Sequence, residues 1–251
     1  MDRMIHTALN TLNNIHLNRS VKSQNLSNIN VPGFRRDLGT SFSSGFLEQN
    51  DQFNSRVFAL HEGANIFSTK PGNLKATGQE TDIAIRGQGF FITKPQNGPP
   101  SLSRRGDLEV SSEGFLINGS GAQMLDLNQQ PIEMPAYRKL IVSETGEIFI
   151  EPLGSEEGTR LALGSLALTS GSEEPIKKDL DGELRLASGG VPAPDQNSVV
   201  AQSFLEESNV NAIEELIDTL SQQRQFEVNV KFISLSKDID ESSASIMRIP
   251  S

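Results

Sequence analysis

No cysteine and no tryptophan occur among the 251 residues, and there are one tyrosine and three histidines. Without thiols the chain forms no disulfide, no cysteine nucleophile and no thiolate metal site, and the redox compartment is left undefined. A zinc site ordinarily gathers three or four His, Cys or carboxylate ligands. His6 and His16 lie ten residues apart and so not one helical turn apart, and His61 is remote in sequence; no metal and no cofactor are expected. Basic charge is also scarce, with 22 Lys and Arg against 32 Asp and Glu, a net charge of −10. Nucleic-acid-binding domains are usually basic, so no nucleic-acid partner is expected. No apolar run approaches the roughly 20 residues of a membrane-spanning helix, and no membrane insertion is expected. The N-terminus lacks both the continuous apolar stretch and the small-residue cleavage site of a secretory signal peptide. Hydropathy alone implies a cytoplasmic protein, unless a dedicated machine exports the chain uncleaved.

The groupings that chemistry requires are missing as well. There is no Gly-x-Ser-x-Gly, and no His falls in the region richest in β-type runs. Glu156-Glu157 and Glu173-Glu174 sit in Gly/Ser-rich stretches, where solvated charge is the ordinary reading, so no catalytic residue is expected. Gly87-Gln88-Gly89 lacks the third glycine and following helix of a dinucleotide site and reads as a turn in a sheet. Arg105-Gly106-Asp107 matches a short adhesive tripeptide, yet Gly-Asp is also ordinary turn chemistry.

What the chain does have is helical periodicity at both ends. Ile5, Ala8, Leu12, Ile15, Leu26 and Ile29 fall on one 3-4 spacing, with Arg19 and Lys22 filling the two slots between. Val210, Ile213, Ile217 and Leu220 repeat the pattern near the other end. After a shift around Arg224 it resumes with Val228, Phe232, Leu235, Ile239 and Ile246. Such seams are made to meet another helix. The first helix is expected over Met4–Asn28, ending at Asn30-Val31-Pro32-Gly33, where proline cannot continue the helix and glycine permits the turn. The second is expected to start around Asn211, capped by Ser208 or Asn209. Residues 1–36 carry five basic residues against one acid, and residues 201–251 nine acids against four basic residues. The ends could therefore pair with each other or with the opposite end of a neighbouring copy.

Between them the period changes to two. Ile83-Ala84-Ile85, Phe90-Phe91-Ile92, Leu108-Glu109-Val110, Phe115-Leu116-Ile117, Leu140-Ile141-Val142, Ile148-Phe149-Ile150, Leu161-Ala162-Leu163, Leu166-Ala167-Leu168 and Leu184-Arg185-Leu186 are short β-type runs separated by glycine-rich turns. Val142 to Ile148 reads as a hairpin with Gly146 in its turn. The expected fold is α+β: N- and C-terminal helices forming a coiled-coil-like assembly region around a central all-β, antiparallel domain. The divisions read as 1–36 for the first helix, 37–70 for an irregular, partly extended linker, 71–200 for the β domain and 201–251 for a strand exit and the second helix. Residues 188–199 are turn-rich and expected to leave the body.

One segment is more specific than any periodicity. Gln24-Asn25-Leu26-Ser27-Asn28-Ile29-Asn30-Val31-Pro32-Gly33-Phe34-Arg35 closely resembles the signature of the bacterial flagellar rod and hook family. The resemblance recurs at Asp82–Phe91, Arg104–Leu108, Gly114–Gly119, Leu140–Ile148, Ser208–Asn211 and Gln223–Glu227, in the family's order. It marks Asn25, Leu26, Asn28, Asn30, Pro32, Gly33, Phe34, Arg35, Asn209, Asn211, Arg224 and Glu227 as motif positions. Within the family the Met-Asp start, the length and the early end after the last helix are most similar to proximal rod members; distal rod or hook-type membership is the alternative. The resemblance implies a structural subunit, exported without a cleaved signal peptide by the flagellar type III apparatus. Its partners would be copies of itself and other rod proteins, in the periplasmic rod of the basal body. Phe42 and Phe46 fit the Phe-x-x-x-apolar pattern of an export signal. Ile5, Leu12, Ile15, Leu26, Ile29, Ile213, Ile217, Leu220, Val228, Phe232 and Leu235 would carry the assembly contacts. Rivals from other classes are a cell-surface adhesin using Asp107 and a cell-wall glycan hydrolase using a carboxylate pair such as Glu133 and Glu147.

Overall fold

The computed structural model describes residues 2–39, 43–47, 55–59, 66–171, 174–179 and 181–247, with side chains from Ala8 to Gly39 and from residue 66 to residue 246 within those ranges. The chain divides into two compact units. One comprises residues 1–27, 37–64 and 211–251; the other comprises residues 28–36 and 65–210.

The first unit holds two long helices, α1 (Asp2–Ser27) and α2 (Ala212–Met247). Lys22, near the end of α1, contacts Glu215 and Asp218, near the start of α2, so the pair runs antiparallel. Asn211 caps α2, its Oδ1 accepting from the backbone N–H of Ile213 (3.0 Å) and Glu214 (3.4 Å). The expected caps are used elsewhere: Ser208 Oγ accepts from Val210 N–H, and Asn209 is bonded within the second unit. Glu214 and Glu215 occupy the first turn, where negative charge complements the exposed N–H groups. The helix runs unbroken through Arg224, so both halves of the apolar pattern lie on one continuous helix. Within the stretch expected to be irregular, Ser43–Leu47 and Ser55–Ala59 pair as an antiparallel ribbon.

The second unit is an antiparallel β body, α-free among its described residues. The expected runs become strands at Ile83–Arg86, Phe90–Lys94, Leu108–Val110, Leu116–Asn118, Tyr137–Val142, Glu147–Pro152, Leu161–Ser165, Leu168–Thr169 and Leu184–Leu186. Phe90–Lys94 explains why apolar side chains run without alternation. It is a central strand, paired with Ser101–Ser103, Gln123–Met124 and Leu168–Thr169. Its alternate side chains enter opposite cores. Phe91 packs with Ile83, Ile85, Leu116, Leu140, Ile148, Leu166 and Val200; Phe90 and Ile92 pack with Phe67, Leu102, Leu125, Ala167 and Leu184. The hairpin at Val142–Ile148 is present, with Gly146 in the left-handed region (φ +84°). Gly87-Gln88-Gly89 joins two strands as a turn.

Residues 188–199 do not leave the body. Asp195 accepts from Ser170 N–H (2.9 Å), and Gln196 both accepts from Leu168 N–H (3.0 Å) and donates to Leu166 O (2.9 Å). These side chains serve strand-edge groups that would otherwise lack partners, and so hold the turn-rich segment in place. Two further strands, Val199–Gln202 and Phe204–Glu206, then pair with Ile83–Arg86 and Leu74–Ala76.

Candidate assembly surface

The second helix, α2, places most of its large apolar residues on the side away from its contact with α1. On α1, Ala8 and Ile15 are buried, and Thr11, Leu12, Asn18, Val21 and Lys22 are half-buried on the same stripe, which ends at buried Asn25. On α2 the buried and half-buried positions are Glu215, Asp218, Thr219, Gln222, Asn229, Ile233, Ser236, Asp240 and Ser243. That line is mostly polar, and it includes the two residues that touch Lys22. The expected seam lies elsewhere on the helix: Ile213, Ile217, Leu220, Val228, Phe232 and Leu235 are 38–70 % exposed, as are Leu216, Val230 and Ile239. Burying a side chain of this size is worth about 1.5–3 kcal/mol. A stripe of this length left in water is a surface awaiting a partner.

Of the α1 positions expected on the seam, Leu12 is half-buried and Ile15 buried, Leu26 is exposed, and Ile29 lies half-buried in the turn beyond the helix. The side chain of Ile5, Phe42, and the side chain of Phe46 lie outside the described residues. At the end of α1 the buried slot belongs to Asn25, not Leu26. Asn25 bonds the backbone of Asp37 in both senses (2.8 and 2.9 Å) and donates to Glu215 Oε1 (3.3 Å).

In the β body the rest of the motif meets a buried charge cluster. Glu206, at the end of its strand, holds Arg35 Nη2 at 3.0 Å with one oxygen and Arg104 Nε at 3.0 Å with the other. It also accepts from Gly72 N–H (2.8 Å), while its carbonyl accepts from Gly33 N–H (2.7 Å). Arg35 donates to Lys70 O, and Arg104 to Gly87 O. Burial pushes the Arg104 guanidinium down to about 10, with Glu206 opposing the shift and Arg35 adding to it; Arg35 is lowered by burial in the same sense. Both stay charged at neutral pH, so two cations share one carboxylate. Gly33 sits at φ +68°, and a Cβ there would come within 2.4 Å of the Arg104 carbonyl carbon. Pro32 and Phe34 are half-buried beside it, with Lys178 Nζ 4.8 Å from the Phe34 ring centre. Asn209 completes the fixation, accepting from Arg36 N–H (2.6 Å) and donating to Lys70 O (2.7 Å). Asn28 accepts from Val31 N–H (3.1 Å), Asn30 is exposed, and Arg224 and Glu227 are exposed on α2. The arrangement binds backbone segments to one another.

Sequence reading passed over Glu206, Arg104, Lys22 and Glu215 as site residues. A faint signal existed for Glu206, an acid closing the strand-like Val199–Glu206 run. In the adhesive-like tripeptide, Arg105 and Asp107 are paired with each other (2.8 Å). Glu133 and Glu147 are exposed. Clefts of about 170, 300 and 490 Å³ on the β body are each lined by one carboxylate, Glu183, Glu174 and Glu113 respectively, where glycan cleavage uses two. Among the described residues no cluster of three His, Asp or Glu side chains is placed to hold a metal, and no helix is long and apolar enough to cross a membrane.

Known proteins supply the remaining observation. Residues 84–150 match the family described as flagellar hook protein FlgE/F/G D1 domain, and residues 201–246 match flagellar basal body rod FlgEFG protein C-terminal. The flagellar basal-body rod protein FlgF of Salmonella typhimurium is 26 % identical over 98 % of both chains. The chain is similar to flagellar basal-body rod proteins. FlgF of Escherichia coli is likewise 26 % identical, over 95 % of both chains. The rod protein FlgG of Agrobacterium fabrum is 28 % identical over 88 % of this chain and 90 % of its own. The matched regions cover part of the β body, Arg104 included, and the segment that carries Glu206 and most of α2 with its exposed stripe.

Proposed function

We propose that the chain is a structural subunit of the flagellar basal-body rod, assembling through coiled-coil-like contacts of its terminal helices with copies of itself and with other rod proteins. The observation that carries this is the stripe on α2: large apolar side chains left exposed on a helix whose polar line is the buried one. Within a rod, that stripe would be covered by neighbouring helices. The proximal rod is the position proposed. Its support is the end-to-end alignment with FlgF of Salmonella typhimurium, although identity to a FlgG is slightly higher. The proposed route is export through the type III apparatus without cleavage, with Phe42 and Phe46 as the signal, to the periplasmic part of the basal body.

The test is motility and basal-body assembly in a strain carrying only Leu220→Asp, with Leu12→Asp alongside. Both should block rod growth and swimming. Swimming retained in both would exclude assembly through these helices.

A further inference from the structure

Hydrophobicity alone would turn α2 the other way. Its apolar stripe would face α1 and its polar line would face water, because every buried CH₂ is favourable and every buried charge costly. The structure has the reverse, and one cluster joins the two helices on the buried side. Glu215, 1 % exposed, receives Lys22 Nζ at 3.1 Å on one oxygen and Asn25 Nδ2 at 3.3 Å on the other. Lys22 also reaches Asp218 at 2.6 Å. Asn25 is itself fixed by two bonds to the Asp37 backbone. Turning α2 so that Glu215 and Asp218 face water would take both carboxylates from Lys22 Nζ and leave Asn25 Nδ2 with Asp37 O alone, a penalty that falls only on the wrong faces. A buried polar group used in this way selects register at some expense of stability.

We propose that Lys22, Asn25 and Glu215 form a specificity-determining site that fixes which face of α2 meets α1, and thereby keeps the apolar stripe from being satisfied inside its own chain. The stripe is then held for a second copy. That last step rests on the rod reading, whereas the choice of face does not. The cluster discriminates against a competing arrangement of the same two helices.

The absence of cysteine makes the face directly measurable. In the full chain, single Ile217→Cys reports the stripe (56 % exposed) and single Ser236→Cys the buried line (4 % exposed). A soluble maleimide should label the first at least about tenfold faster than the second, following their exposure. With Lys22→Leu, Asn25→Leu and Glu215→Leu combined, the order should invert, because the apolar stripe turns inward. Should that variant label rapidly at both positions, the charge-exchanged variant Lys22→Glu, Glu215→Lys, Asp218→Lys decides: the proposal requires the original order to return. Equal labelling of both positions in the native chain, an unchanged order in the leucine variant, or no return in the exchanged one would overturn it. These readouts are independent of motility, so a failed rod reading appears in swimming and a failed register reading in labelling.

Discussion

Glu206 ties four separated stretches of the β body together: the Gly33–Arg35 turn, Lys70–Gly72 through Arg35 and its own carboxylate, its own strand, and Arg104. Removing one partner of a buried ion pair leaves uncompensated charge, at about 3–5 kcal/mol. Glu206→Ala should therefore lower the stability of the β body by that order in chemical denaturation, whereas Glu113→Ala, exposed on a turn, should stay within about 0.5 kcal/mol. Gly33→Ala combines a left-handed backbone with a 2.4 Å approach to main-chain atoms that cannot swing aside. It should cost at least ~1–3 kcal/mol, and Gly33→Asn should be no milder, because the clash outweighs asparagine's tolerance of this region. Asp181 is held below its ordinary value chiefly by its hydrogen bond from Arg185. A lowered carboxylate contributes stability that is present above its unfolded pKa and lost as pH falls through the folded one. Asp181→Asn should thus flatten the acid limb of the stability curve below about pH 4, by no more than ~0.5 kcal/mol given that the Asp181 side chain is 41 % exposed.

At the scale of elements, α2 carries the argument. Its existence and its apolar stripe were legible in the 3-4 spacing of Ile213, Ile217 and Leu220, and the strands were legible in runs such as Phe90-Phe91-Ile92. Which way α2 faces was not legible. Periodicity reports where apolar side chains fall around a helix, not whether they meet a partner inside the chain. The polar line from Glu215 to Asp240 looked like an ordinary solvated face. The capping residue was missed for a related reason. Asn209 and Asn211 are equivalent as local signals, and only the bonds to Arg36 and Lys70 remove Asn209 from competition. Likewise, residues 188–199 read as a departing loop because the partners of Asp195 and Gln196 lie some 25–30 residues earlier in the chain. Leu220→Asp tests the orientation. Because Leu220 is 55 % exposed, the isolated chain should keep its stability within about 0.5 kcal/mol while losing assembly. Ile15→Asp, buried at 8 %, should instead loosen the helix pair itself, seen as faster amide exchange along α1 and α2.

For the molecule as a whole, the similarity to flagellar basal-body rod proteins and the exposed stripe converge on a structural subunit of the flagellar basal body. The chain passes between its two units four times, at 27/28, 36/37, 64/65 and 210/211. The motif residues flank three of these crossings, 27/28, 36/37 and 210/211, with Asn25 in one unit and Gly33, Arg35 and Asn209 in the other. Quantitative mass spectrometry of purified basal bodies, counting this chain against the other rod and hook proteins, tests the central claim most directly. The account predicts a stoichiometric component present in numbers comparable with the other proximal rod proteins. A several-fold larger count would place it in the distal rod, and its absence from intact basal bodies would contradict the account.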